Sequence, residues 1–244
     1  MDNIITWADI ALIKKTAKAN KQAQPLLSHT QRLDAAAHDL YGVRHFHEFQ
    51  TRYHAQIDAF ARRDESGGAH YCKYCRFTFD GSYAPDVKTH RELHKRFEEA
   101  HTTLGYLPDG YQSREKTKRL GYDWMLSPNK HTQREGALAV LLAQFERSLE
   151  SAIEAGTWPK HPYFPEYVSF IIGQANNIPE AIRAGLEIEF GRVDVIPAGQ
   201  SSWSSRFATP ARTTAKAEIL VRSNDLRTSI IEATSNFDKA DTLA

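Results

Sequence analysis

Residues 71–97 read YCKYCRFTFDGSYAPDVKTHRELHKRF, and this stretch decides the fold. Cys72 and Cys75 are separated by two residues, a spacing that lets a tight turn aim both sulfurs at one ion. After fourteen intervening residues come His90 and His94, four apart, which stack on one face of a helix. Between the pairs lie a strand-like alternation at Arg76–Phe79, a turn at Gly81 and a helix start near Asp86. So short a segment cannot build a core of its own, whereas one metal ion can replace that core. The expectation is a ββα, C2H2-type finger over residues 70–104. It holds one structural Zn2+ on Cys72, Cys75, His90 and His94, with Phe79 and Leu93 as the apolar plug beneath it. A chance Cys-x2-Cys beside two surface histidines, or a redox pair, are the other readings. A redox pair needs a βαβ setting, and none surrounds this one. His70 and His101 flank the motif, but four ligands are complete without them.

Working outward, residues 1–63 read as a helical unit. Ile10, Ile13 and Ala17 recur at helical spacing; Ser28 and Gln31 form a capping-box pattern; Gly42 is placed to end that second helix. Phe46, Phe49, Tyr53, Ile57 and Phe60 then make an aromatic stripe that predicts a third, core-facing helix. Residues 64–69, DESGGA, read as a linker. Beyond the finger, 105–196 is expected to be a helical domain. Its stretch 105–135 reads as loops with one short helical piece, because Gly105, Pro108, Gly110, Gly121 and Pro128 punctuate it. Leu138, Leu142, Phe145, Leu149 and Ile153 predict a helix over 136–155, and the Pro- and aromatic-rich stretch 157–170 a turn packed on it. Pro179 starts a further helix that stops at Gly191. Residues 197–244 read as a loosely ordered tail. The fold class is therefore mainly α, in three parts plus that partly ordered tail.

Composition narrows the partners. Lys plus Arg number 31 against 30 acids, so binding to nucleic acid would need local patches rather than net charge. No run of apolar residues is long enough for a membrane span, so no membrane partner is expected. The start MDNIITWADIALIKK has no basic segment followed by an apolar run, and the two cysteines are placed for a metal. The expected compartment is cytoplasmic.

Two resemblances add to this. The segment 70–96 resembles the C2H2 finger of cohesin-establishment acetyltransferases: Cys72, Cys75, His90 and His94 match its ligands, and Phe79 and Asp86 its framework. The loop here is one residue longer, and nothing downstream resembles an acetyl-CoA-binding loop, so the resemblance implies the zinc site and not the transferase. The stretch 27–49 is similar to a small helical unit of bacterial plasmid- and phage-borne proteins. Leu27, Ser28, His29, Gln31, Leu33, Ala37, Gly42, His45 and Phe49 follow its pattern, with Phe46 where the pattern prefers Trp. That similarity implies a bacterial mobile-element setting.

The expected function is DNA binding of limited sequence specificity. Lys88, Arg91 and Lys95 of the finger helix would contact phosphates, together with Arg114, Lys116, Lys118, Arg119, Lys130 and Arg134. A second basic stretch comprises Lys14, Lys15, Lys18 and Lys21. The alternative is a zinc-stabilised protein-interaction factor without nucleic-acid contact. Neither His161, Tyr163 and Glu166 nor Asp123 and Trp124 form a recognised catalytic constellation, and no catalytic residue is assigned.

Overall fold

A computed structural model describes residues 4–63, 68–193 and 214–241. The chain divides into two compact units, residues 1–103 and 104–244. It is mainly helical, with one small antiparallel sheet among the described residues.

In the first unit, α1 (Trp7–Ala19) opens with a capping box in which Thr6 and Asp9 bond each other's backbone N–H. Helix α2 (His29–Tyr41) opens on the Ser28–Gln31 box and ends at Gly42, whose φ of +67° is the left-handed conformation glycine adopts without strain. Helix α3 (Phe46–Ala59) lacks a side-chain cap at His45; instead the Phe46 N–H donates to Asp34 of α2 at 2.8 Å. Ile10, Ile13, Ala17, Ala36, Ala37, Phe49, Tyr53 and Ile57 form the core between these helices. The predicted stripe continues correctly to Ile57, but Phe60 leaves it, being the half-exposed C-cap of α3.

Residues Ala61–Arg63, expected as helix, form strand β1, which pairs antiparallel with β2 (Ala69–Cys72). β2 pairs with β3 (Thr78–Asp80), giving the order β1-β2-β3. The register sets Ala61 against Cys72 and His70 against both Arg63 and Phe79. Helix α4 (Ala84–Leu104) follows, its first turn carrying Asp86, whose carboxylate accepts the Asp80 N–H. The boundary expected between 63 and 70 is thus bridged by a sheet. Of the expected linker, residues 64–67 lie outside the described residues.

In the second unit, the stretch expected as loops is mostly helix: α5 (Tyr111–Met125) is followed after four residues by α6 (Lys130–Glu154). Gly121 and Gly136, read from sequence as breakers, are where the two backbones touch. A Cβ on Gly121 would sit 2.6 Å from the Gly136 carbonyl oxygen, and a Cβ on Gly136 equally close to that of Gly121. Packing outweighs the weak helix preference of glycine here. Helix α6 is buried all round from Gly136 to Ala143, broader than the single apolar side the spacing predicts.

Phe164–Ile171, expected as a turn, forms α7, and Glu180–Phe190 forms α8 with Gly191 as its stop. Of the expected tail, 197–244, residues 197–213 and 242–244 lie outside the described residues, but Thr214–Asp241 form one helix, α9. Polar side chains hold it to the rest of the unit. Ser223 accepts the Phe164 N–H at 3.2 Å, Asn224 donates to the Leu104 carbonyl at 3.1 Å, and Arg227 donates to Glu146 at 2.7 Å. Only Ile230 is a fully buried apolar residue of α9 among those described, so the hydrophobic pattern that marks a helix in sequence is faint there.

Candidate metal centre

Cys72 ends β2, and the chain turns back at once. The Arg76 N–H donates to the Cys72 carbonyl at 2.8 Å, and the Cys72 N–H to Phe77 at 3.0 Å. Arg76 holds φ at +61°, a left-handed conformation that a non-glycine residue rarely adopts, and this closes the turn so that Cys75 returns beside Cys72. His90 and His94, one turn apart on α4, supply the opposite side. One ligand atom from each of the four residues lies within 4.8 Å of every other. All four side chains are buried, with Cys72 and His90 at 0% exposure.

The electrostatics of this cluster are unfinished without a cation. Both ring nitrogens of His90 are buried without a hydrogen-bond partner, a costly state for a polar group. The Cys72 sulfur is 3.5 Å from Nδ1 of His94. The Cys75 thiol bonded to Cys72 holds the Cys72 thiol far below its ordinary range, and that bond together with burial pushes Cys75 up. Two buried cysteine sulfurs beside a buried imidazole with unpartnered nitrogens are the donor set of a closed, four-coordinate site. The four residues can therefore hold one metal ion.

Aromatic rings wall the site. His90 stacks on Phe79 at 4.2 Å, fulfilling the expected plug, while Leu93 is only half-buried. His94 stacks on Tyr74 at 4.6 Å and meets Phe60 at 5.3 Å. Tyr74 bonds His101 through its hydroxyl at 3.0 Å, and burial followed by the Glu98 charge pushes that phenol up to about 12. His70 stacks on Phe79 instead of joining the ligands. Sequence reasoning missed Phe60 and Tyr74. Tyr74 sits between the two cysteines, which was a signal; Phe60 lies twelve residues before Cys72 and carried none.

No family model matches the chain, and neither a curated protein nor a solved structure matches it. The centre therefore stands on its own atoms.

Of the residues expected at nucleic acid, some are paired within the protein and others are exposed. Arg91 grips Asp58 with two bonds of 3.2 and 2.5 Å. Lys95 lies over the Trp7 ring at 3.8 Å and 3.9 Å from Glu92. Arg114 is buried and bonds Glu150 at 2.5 Å; Lys118 pairs with Glu115 at 3.0 Å; Arg134 pairs with Glu135 and grips Glu189 at 2.6 and 2.8 Å. Lys88, Lys116, Arg119 and Lys130 are exposed. His161, Tyr163 and Glu166 serve the core: His161 bonds Ser148 at 3.0 Å and Pro162 at 2.9 Å, and Glu166 caps the Tyr163 N–H at 2.8 Å. Among the described residues, no helix is long and apolar enough to cross a membrane.

Proposed function

We propose that this chain is a zinc-stabilised DNA-binding protein of limited sequence specificity, serving a bacterial plasmid, phage or integrated element. The observation that carries the metal assignment is the buried Cys72–Cys75–His90–His94 cluster with its orphaned His90 nitrogens. Two thiolates and two imidazoles in a closed tetrad favour Zn2+ over harder ions, and leave no open position for a water nucleophile. The ion is structural in this reading. It ties β2 to α4, and through Phe60 on His94 it secures the end of α3 as well.

DNA contact is supported by cations without an acidic partner. No Asp or Glu occurs between Asp9 and Asp34, a stretch holding Lys14, Lys15, Lys18 and Lys21. Lys88, Arg119 and Lys130 are exposed with no ion pair among the described residues. Such groups neutralise phosphates without reading bases. The mobile-element setting rests on the similarity of residues 27–49 described above. The second reading, a zinc-stabilised protein-interaction factor, is favoured by the internal neutralisation of Arg91, Arg114, Lys118 and Arg134.

Metal analysis of the purified protein, with duplex-DNA titrations at about 50 and 200 mM salt, tests the proposal. One zinc per chain and binding that weakens steeply with salt are expected. One zinc with no DNA binding favours the interaction factor, and absence of zinc removes the structural-ion assignment.

A further inference from the structure

One face of α1 carries lysines and no acid. Positions 7, 11, 14, 15 and 18 follow the spacing i, i+4, i+7, i+8, i+11 and so share one side of the helix: Trp7, Ala11, Lys14, Lys15 and Lys18. The sole acid of the helix, Asp9, lies on another side. It is held there by the Thr6 hydroxyl at 2.7 Å and the Tyr41 hydroxyl at 2.6 Å. The apolar residues Ile10, Ile13 and Ala17 point into the core. Lys15 and Lys18 are exposed and have no ion pair among the described residues.

A cation from a second helix joins this face. Lys14 lies over the Trp7 indole at 4.8 Å, and Lys95 of α4 lies over the same ring at 3.8 Å. The two ammonium groups are therefore within about 9 Å of each other, near the Debye length of physiological salt, where like charges still repel. The indole attracts both cations but carries no charge to cancel them. One acid, Glu92, stands 3.9 Å from Lys95 and is largely exposed. An anion between the two ammonium groups would relieve the repulsion. From Trp7 to Lys18 the face runs about 17 Å, the rise of about five base pairs of duplex.

We infer that the α1 face, with Lys95 gathered to it at Trp7, is the surface of the first unit that grips the phosphate backbone of DNA. This rests on the DNA-binding proposal and moves its main contact to α1 from the 114–134 run, where Arg114, Lys118 and Arg134 are internally paired. Leu12, the exposed apolar residue of α1, lies outside the arc of lysines, which favours a polyanion backbone over a membrane surface.

The test is the salt dependence of affinity for a short duplex of arbitrary sequence, measured by fluorescence anisotropy on the full-length, metal-loaded chain. Each phosphate contact contributes about 0.9 to the slope of log affinity against log salt. Lys14→Gln/Lys95→Gln should lower the slope by about 1.8 and weaken binding at least tenfold at low salt. Arg147→Gln/Lys160→Gln, which removes equal charge from exposed positions of the second unit, should leave the slope unchanged. Because Lys14 and Lys95 touch Trp7, Lys15→Gln/Lys18→Gln serves as a pair that cannot disturb packing; its slope should fall equally. Wild-type slopes retained in both α1 pairs would overturn the inference while leaving DNA binding intact. A wild-type protein that binds no duplex would remove the parent proposal. Loss of anionic-vesicle binding in the α1 pairs, with no duplex binding by wild type, would reassign the face to a membrane.

Discussion

The ring of Phe60, at the end of α3, stands 5.3 Å from the imidazole of His94, a candidate metal ligand on α4. The contact continues through the backbone, where the Lys73 N–H donates to the Phe60 carbonyl at 3.0 Å. The turn carrying both cysteines is therefore built onto the helical unit before it. Tyr53 extends the same junction by donating to Glu98 of α4 at 2.6 Å, and Arg91 closes it on Asp58.

Chelation should accordingly loosen more than a finger. Removal of the metal, or Cys75→Ser, is expected to abolish hydrogen-exchange protection at Cys72, Lys73 and Arg76, and to weaken protection at the C-terminal turn of α3. Amides of α6 in the second unit should keep theirs. Protection of Cys72 and Lys73 that survives metal loss would show that the sheet and aromatic wall suffice alone.

The glycines of the second unit predict opposite outcomes for one chemical change. Gly121→Ala places a methyl group 2.6 Å from a backbone oxygen and 2.9 Å from Val140, so α5 and α6 must separate. A loss of about 1–3 kcal/mol is expected, outweighing the gain of under about 1 kcal/mol in helix propensity. Gly185→Ala in α8 meets nothing within 4 Å and should stabilise by about 0.5–1 kcal/mol. Urea midpoints of the two variants decide the matter.

Arg227 holds α9 to the Glu146 carboxylate at 2.7 Å and to Asp109 at 3.3 Å. Replacing it by Met at pH 8 strands a buried carboxylate and should cost about 3 kcal/mol. Adding Glu146→Gln should recover much of that loss, because no charge is then left buried. A double variant as unstable as Arg227→Met alone would place the energy elsewhere in the α9 interface.

Glu146 and His161 titrate in opposing senses. Burial, with the Asp109 charge adding to it against the pull of Arg227, pushes Glu146 from 4.5 up to about 7. Burial pushes His161 from 6.5 down to about 3, against its bond to Pro162. The folded state thus takes up a proton at Glu146 before the unfolded state does, and stability from it is lost as pH rises from 4.5 to 7. At His161 the unfolded state protonates first, and stability is lost as pH falls below 6.5. Between pH 4.5 and 6.5 the two contributions, each about 1.4 kcal/mol per pH unit, oppose one another. Relative to wild type, Glu146→Gln should therefore destabilise on acidification across this window, and His161→Gln should stabilise. Parallel curves for wild type and Glu146→Gln would mean that this carboxyl does not titrate there.

What could be read locally was read correctly where local forces decide. Capping boxes at Ser28 and the left-handed stop at Gly42 involve neighbours three or four residues apart, and the core stripe of Ile10, Ile13 and Ala17 follows from helical period alone. The Cys72–Cys75 and His90–His94 pairs were equally legible, because a tight turn and one helical turn each set the geometry of a pair. Tertiary packing decided the rest. Gly121 and Gly136 look like breakers until each is found against the other's backbone. The basic run 114–134 looks like an open patch until Glu150 and Glu189, 36 and 55 residues away, meet Arg114 and Arg134. Helix α9 carries too faint an apolar stripe to announce itself, since hydrogen bonds from Ser223, Asn224 and Arg227 anchor it. A periodic apolar pattern or a ligand spacing is a property of the chain alone; a close backbone approach or a charge partner exists only once distant segments have been brought together.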